Sequence, residues 1–351
     1  LNKNKIKDIA IIGPNANSRN ALIGNYHGTS SRYITLLEGI QDELSDSDIN
    51  IHYSIGCHLS KDKIEGLAKK DDRLSEAKAA ANNSDLIILS LGLDETLEGE
   101  EGDDGNSYFS GDKDDIKLPA SQLRLVEAMV ETGVPIIVVL QAGSCIDLTI
   151  LDKYANAILD VWYPGARGGK AIAQLLFGHR SPSGKLPISF YKSLDKMPKF
   201  EDYSMKGRTY RYADQDNILY PFGFGLTYNK LEITNVCVKK IDVDHNYLAK
   251  VCVKNNGKAI QDEVIQVYIK DNSSFAVKND SLCAFEHIIV NSKESKCYEI
   301  AIPTSAFEEV DNDGNRGIYN NKFSLYIGFS QSDKQSVALM GVAPVKVEID
   351  F

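Results

Sequence analysis

The chain has 351 residues, 43% of them apolar, enough for two ordinary domains that each bury a core. A formal net charge of −10 argues against nucleic acid or an anionic membrane as partner, and no stretch approaches the roughly 18 apolar residues of a membrane-spanning helix. Six cysteines (Cys57, Cys145, Cys237, Cys252, Cys283 and Cys297) lie far apart with no Cys-x-x-Cys, so neither a zinc site nor a dense disulfide framework is signalled. Buried reduced thiols are the expectation, which suits a reducing interior and a cytoplasmic rather than a secreted protein. Leu1 is not methionine and no secretory leader is visible, so the chain reads as excised from something longer.

In chain order, Ile9 to Ile12 is a buried strand that ends at Gly13-Pro14-Asn15-Ala16-Asn17. A glycine turn after a strand invites a nucleotide-binding reading, but the Gly-x-Gly-x-x-Gly spacing is absent. Thr35 to Glu38 is a capping box that opens a helix. Ile51 to Ser54 is a second strand, the alanine-rich run from Leu74 to Asn82 is helical, and Leu86 to Leu91 is a third strand. Beyond a long acidic loop, Asp94 to Asp115, Leu118-Pro119 leads into an amphipathic helix over Ser121 to Thr132. Pro135 to Leu140 and Ala157 to Val161 are strands apolar at almost every position, which implies cover on both faces. The pattern predicts an α/β domain: an open, mostly parallel sheet sandwiched by helices.

After the fifth strand comes Trp162-Tyr163-Pro164-Gly165-Ala166-Arg167-Gly168-Gly169-Lys170. Its glycines before a helix suggest a phosphate cradle, yet the spacing of a P-loop is missing. From Asn229 the texture changes to short alternating runs: Ile233 to Val238, Ala249 to Lys254, Val264 to Lys270, His287 to Val290, Tyr298 to Ile302 and Phe323 to Ile327. With turn clusters between them and no helical period, they predict an all-β sandwich over residues 229–351, following an α/β domain over residues 1–228. Asp311 to Gly314 half-matches a calcium loop, but Asn320 stands where a bidentate Glu is needed, so a hairpin turn is expected there.

The acidic loop leaves the carboxyl end of a strand, the edge where open α/β sheets present ligand chemistry. A loop this long is functional or disordered as a rule. Glu98, Glu100 and Glu101 crowd together, and their repulsion favours a shared proton or a cation. By itself such a run is compatible with a solvated loop, a calcium site or a catalytic carboxylate.

The run Gly92-Leu93-Asp94-Glu95-Thr96-Leu97-Glu98-Gly99-Glu100, followed by Leu118-Pro119 and Gln122, resembles the acid/base loop of family 3 glycoside hydrolases, particularly their β-xylosidase branch. Ile12 to Ala16 with Gly24-Asn25-Tyr26, Trp162 to Gly169, Pro182 to Pro187, Tyr203 to Tyr212 and Tyr220 to Tyr228 follow in that family's order. Val253 to Gly257, Glu263 to Tyr268 and Leu282 to Phe285 resemble its fibronectin type III-like domain. The resemblance implies a retaining β-glycosidase, β-xylosidase before β-glucosidase or α-L-arabinofuranosidase, acting on terminal sugars of plant-type oligosaccharides. It also implies that the nucleophilic aspartate sits in an N-terminal (β/α)8 barrel, a partner this chain does not contain, so that the chain alone is inactive. Glu100, the second Glu of Glu-x-Glu, is the implied general acid/base, with Glu98 and Glu101 as rivals. The family's downstream Asp-Arg pair is replaced by Asp103-Asp104, which leaves the loop's charge uncompensated. No cofactor and no metal are expected. The other readings are a non-catalytic carbohydrate-binding or scaffold module and a nucleotide- or phosphate-binding α/β domain.

Overall fold

The computed structural model of the chain describes residues 1–99, 113, 115–241 and 246–350. They form two compact units, Leu1–Arg180 and Ser181–Phe351.

In the first unit strands and helices alternate: β1 (Asp8–Ile12), α1 (Asn20–Ile23), α2 (Leu36–Leu44), β2 (Asn50–Ser54), α3 (Leu74–Asn82), β3 (Leu86–Gly92), α4 (Ala120–Val130), β4 (Ile136–Gln141), α5 (Thr149–Tyr154), β5 (Ala157–Asp160) and α6 (Gly168–Leu176). The strands make one parallel sheet in the order β2-β1-β3-β4-β5. Every residue of β3 is buried, as its unbroken apolarity demands for a central strand. On one face Ile9, Ile11, Ile88 and Val139 pack against Leu36, Ile40, Leu44 and Ile172 from α2 and α6. The capping box at Thr35 forms as expected, with Glu38 N–H on the threonine hydroxyl and the Glu38 carboxylate on the Thr35 amide.

The glycine cluster before α6 proves to be a packing device. A Cβ on Gly169 would fall 1.8 Å from the Thr35 carbonyl oxygen, and one on Gly39 would fall 2.2 Å from Gly169, so α2 and α6 cross in backbone contact. The amides a phosphate would need are already occupied: Gly168 N–H donates to Gly165, Gly169 N–H to Ile34 and Lys170 N–H to Arg167. That removes the basis for a phosphate cradle at this helix.

The second unit begins with β6 (Phe190–Tyr191), α7 (Thr209–Tyr212) and β7 (Ile218–Tyr220). Then come β8 (Leu231–Lys240), β9 (Tyr247–Asn255), β10 (Gln261–Asp271), β11 (Ser281–Val290), β12 (Ser295–Ile302), β13 (Glu309–Val310), β14 (Arg316–Gly317), β15 (Lys322–Gly328), α8 (Lys334–Met340) and β16 (Val345–Asp350). Two antiparallel sheets, β11-β10-β15-β16 and β12-β9-β8, enclose a core that includes Val251, Val253, Ile265, Val267, Phe307, Phe323, Leu325 and Ile327. Along β9 buried positions alternate with more exposed ones, the period of a strand with one wet face. The segment before β8 packs with these strands: Gln266 donates to the Gly223 carbonyl at 3.0 Å, Gln331 to Phe222 at 2.7 Å, and Lys185 pairs with Glu263 at 2.8 Å. Tyr210 stacks on Phe222 with centroids 4.0 Å apart, and Arg208 donates to the Lys199 and Asp202 carbonyls.

Two expectations are corrected here. A helix, α8, interrupts the strand pattern, started by Asp333 accepting from the Gln335 and Ser336 amides and stopped by Gly341 in the left-handed conformation. β16, which pairs with β15, completes the seven or so strands expected of the sandwich. Cys252 and Cys297 are not reduced thiols: they stand opposite each other in the β9–β12 register, with Cα atoms 3.9 Å apart, and form a disulfide. At Asp311 the hairpin reading holds. Its Oδ1 accepts from the Asp313 and Asn315 amides, Oδ2 accepts from Tyr319, and β13 pairs with β14.

Candidate functional site

Strand order reverses between β1 and β3, the switch point at whose carboxyl side open parallel sheets present their ligand crevice. Both strands end in a glycine with positive φ. A Cβ on Gly13 would lie 1.9 Å from the Ser90 carbonyl oxygen, and one on Gly92 would lie 1.8 Å from that of Gln141. Only glycine permits this approach of neighbouring strands. Gln122, fully buried in the first turn of α4, closes the gap from below, accepting from the Gly92 amide at 2.9 Å and donating to the Gly92 carbonyl at 2.7 Å. The Leu-Pro-x-x-Gln pattern thus anchors the strand from which the acidic loop departs.

The loop's first turn is built by Asp94. Its Oδ1 accepts from the Thr96 amide at 3.0 Å and the Thr96 hydroxyl at 2.6 Å, and its carbonyl accepts from the Leu97 and Glu98 amides. This turn delivers Glu98 to the segment that follows β4. Glu98 Oε2 accepts from the Gly143 amide at 2.6 Å and the Tyr163 hydroxyl at 2.5 Å. Its Oε1 accepts from the Ser144 hydroxyl and lies 3.4 Å from Lys113 Nζ. Lys113 in turn donates to Ser144 Oγ at 2.5 Å, so both ends of the acidic loop converge on Gly143 and Ser144. The expectation of an uncompensated loop is therefore corrected at its base, where Lys113 faces Glu98. Asn25 secures the same turn by donating to the Glu98 carbonyl at 2.6 Å, and Asn15 holds the Leu93 carbonyl at 3.0 Å.

Burial, and after it the charge of Glu98, push the Tyr163 phenol well above its ordinary value, so it remains a donor across the accessible pH range. Gly24 makes room for that ring, since a Cβ there would sit 2.5 Å from Tyr163 Cδ2. Glu95, passed over in the sequence, has a buried Oε2 without a hydrogen-bond partner among the described residues. Burial, then the Asp94 charge, raise its proton affinity, with His27 opposing.

Of the three sequence-predicted carboxylates, the structure places Glu98 at the crevice; Glu100 and Glu101 lie outside the described residues. Tyr163, Ser144 and Lys113 were not foreseen. Lys113 carried a signal, as the one basic residue between Asp94 and Asp115. Among the described residues no group of three or more His, Cys, Asp or Glu side chains could hold a metal ion.

Fold and site together define a helix-flanked parallel sheet that carries carboxylates at its switch point, followed by a β-sandwich. Residues 1–228 match the profile described as glycosyl hydrolase family 3 C-terminal domain, and residues 263–331 match a fibronectin type III-like domain. The chain belongs to glycosyl hydrolase family 3. It is 32% identical over 91% of its length to a periplasmic β-glucosidase of Salmonella typhimurium, covering 44% of that protein. It is 30% identical over 97% of its length to a β-xylosidase of Formosa agariphila, covering 47%. A crystal structure of the Bifidobacterium adolescentis family 3 β-glucosidase superposes with a TM-score of 0.81 at 25% identity, over 99% of this chain and 49% of that one. The chain thus spans about half the length of the relatives it matches.

Proposed function

We propose that this chain is the C-terminal portion of a retaining, exo-acting β-glycosidase, a β-xylosidase in preference to a β-glucosidase, and that it supplies the general acid/base for cleavage of terminal sugars. Such enzymes set two carboxyl groups about 5–5.5 Å apart, one attacking the anomeric carbon and one protonating the departing oxygen. The nucleophilic aspartate belongs to an N-terminal (β/α)8 barrel outside this chain, and the chain alone does not turn over glycosides. The β-xylosidase and β-glucosidase names of the relatives support the substrate class. The Asp-x-Thr-x-Glu-x-Glu form of the loop favours xylosides.

The observation that carries the assignment within the loop is the saturation of Glu98. Both its oxygens accept from fixed donors, and a proton placed on either would confront one of them. A proton donor needs a free acidic hydrogen aimed at substrate. Glu98 therefore anchors the loop, and the proton-transfer role passes to Glu100, with Glu101 next in line.

In the full-length polypeptide, Glu100→Ala lowers turnover of unactivated xylosides by about 10²- to 10⁴-fold, the usual cost of a lost proton transfer. Azide restores the rate on substrates with good leaving groups, because their departure needs no acid. Near-normal turnover by this variant removes Glu100 from the role. Hydrolysis of an aryl β-xyloside by the 351-residue chain alone, at an ordinary enzymatic rate, refutes the division of the site between two parts.

A further inference from the structure

The second unit holds a cavity of about 400 Å³ between the end of β10, the start of β11 and the 3₁₀ turn Thr304–Phe307, a volume in the range of small-molecule sites. Asp271 lines it and is only 6% exposed. Its Oδ1 is fixed by the Ser273 amide at 2.9 Å and by Asn320 Nδ2 at 2.7 Å, while its Oδ2 is buried with no hydrogen-bond partner among the described residues. A carboxylate oxygen left so is costly unless something brings it a donor. Glu309 lines the same cavity, and burial, then the Asp271 charge, raise its proton affinity.

Donors line the same cavity. Arg211 and Arg316 line the cavity too, the first lying over the Tyr210 ring at 5.9 Å and the second 3.7 Å from Glu308. Aromatic surface completes the wall, from Tyr212 and from Phe275, whose ring is set edge-on to Tyr319. Acids and guanidiniums nearly balance, so a strongly charged ligand gains little net attraction. A neutral molecule whose hydroxyls both donate and accept, and whose ring presents C–H faces to aromatics, satisfies every group named.

We infer that this cavity is a binding site for a neutral sugar unit, a monosaccharide or the end of a short oligosaccharide, with Asp271 and Glu309 accepting from its hydroxyls and Arg211 donating. The site lies wholly within the second unit, and its existence is independent of the acid/base assignment at the acidic loop.

The test uses the 351-residue chain, titrated with xylose, glucose, xylobiose and cellobiose and followed by calorimetry and saturation-transfer NMR, with putrescine as a cationic control. At least one of the sugars binds with a Kd of about 1–10 mM, in the range of a single small polar ligand. Asp271→Asn keeps an oxygen for the Ser273 and Asn320 contacts but puts a donor in place of the unpaired oxygen, and it weakens sugar binding about tenfold or more. Glu309→Gln and Phe275→Ala, at less buried positions, weaken it as well while the melting temperature holds, so the outcome does not depend on how Asp271→Asn folds. No sugar binding up to about 100 mM, binding that all three variants leave intact, or capture of putrescine in place of sugar overturns the inference.

Discussion

Each unit buries a glutamate against a lysine, and the two pairs are built differently. In the first unit Glu98 lies 3.4 Å from Lys113 but takes its close hydrogen bonds from neutral groups, the Gly143 amide and the Ser144 and Tyr163 hydroxyls. In the second unit Glu263 lies 2.8 Å from Lys185 and also accepts from the neighbouring Val264 amide. Burial raises the proton affinity of Glu263, and Lys185 opposes it. The first carboxylate is held by preorganised dipoles, the second by one cation. The first arrangement positions a loop, and the second locks a segment of chain to a strand.

Removing the cation from the second pair has the largest expected effect. Lys185→Met strands a carboxylate that is only 3% exposed, and unfolding in urea should show a loss of about 3–5 kcal/mol. The double variant with Glu263→Leu, which replaces the pair by apolar packing, should recover most of that loss. If Lys185→Met alone costs less than about 1 kcal/mol, the contrast between the two pairs fails.

Asp160, at the end of β5, extends the comparison to a carboxyl group with no cation. Burial pushes it up to about 6, the Trp162 amide opposes, and its Oδ2 has no hydrogen-bond partner among the described residues. Because the folded value lies above the unfolded one, the native state binds the extra proton between about pH 4 and 6. Stability therefore falls as pH rises through that window, by about 3 kcal/mol, and stays lowered above it. Asp160→Asn should abolish this part of the pH dependence and raise stability near neutrality relative to the native chain. Stability curves of the two proteins that run parallel from pH 4 to 7 would contradict it.

The same contrast explains what could be read in the sequence. Unbroken apolar runs such as Ile136 to Leu140 announce a covered parallel strand whatever surrounds them, so the α/β unit was legible, as was the alternation of β9. Glu98 was visible as a carboxylate, but its role was not. Tyr163 stands 65 residues away and Gly143 45 away, and only the order of the parallel strands brings them together. The disulfide was hidden for a like reason. Cys252 and Cys297 are 45 residues apart, and they meet through a strand register that spacing does not encode. A seven-residue helix such as α8 carries too few turns to show a period.

At the loop base the expected effects are smaller, and they separate charge from dipole. Glu98→Gln swaps an acceptor for a donor among three donors and should cost about 1–3 kcal/mol in the unfolding of the chain. Lys113→Met should cost only about 0.5–1 kcal/mol, since Gly143, Ser144 and Tyr163 continue to satisfy Glu98 after the lysine is gone. In the full-length polypeptide the order of effects on turnover should be the same, Glu98→Gln well below Lys113→Met, with the loss in kcat rather than KM because the anchor sets the reach of the acid and not the grip on the sugar. A Lys113→Met variant as damaged as Glu98→Gln would mean that the ion pair, and not the ring of neutral donors, fixes the loop.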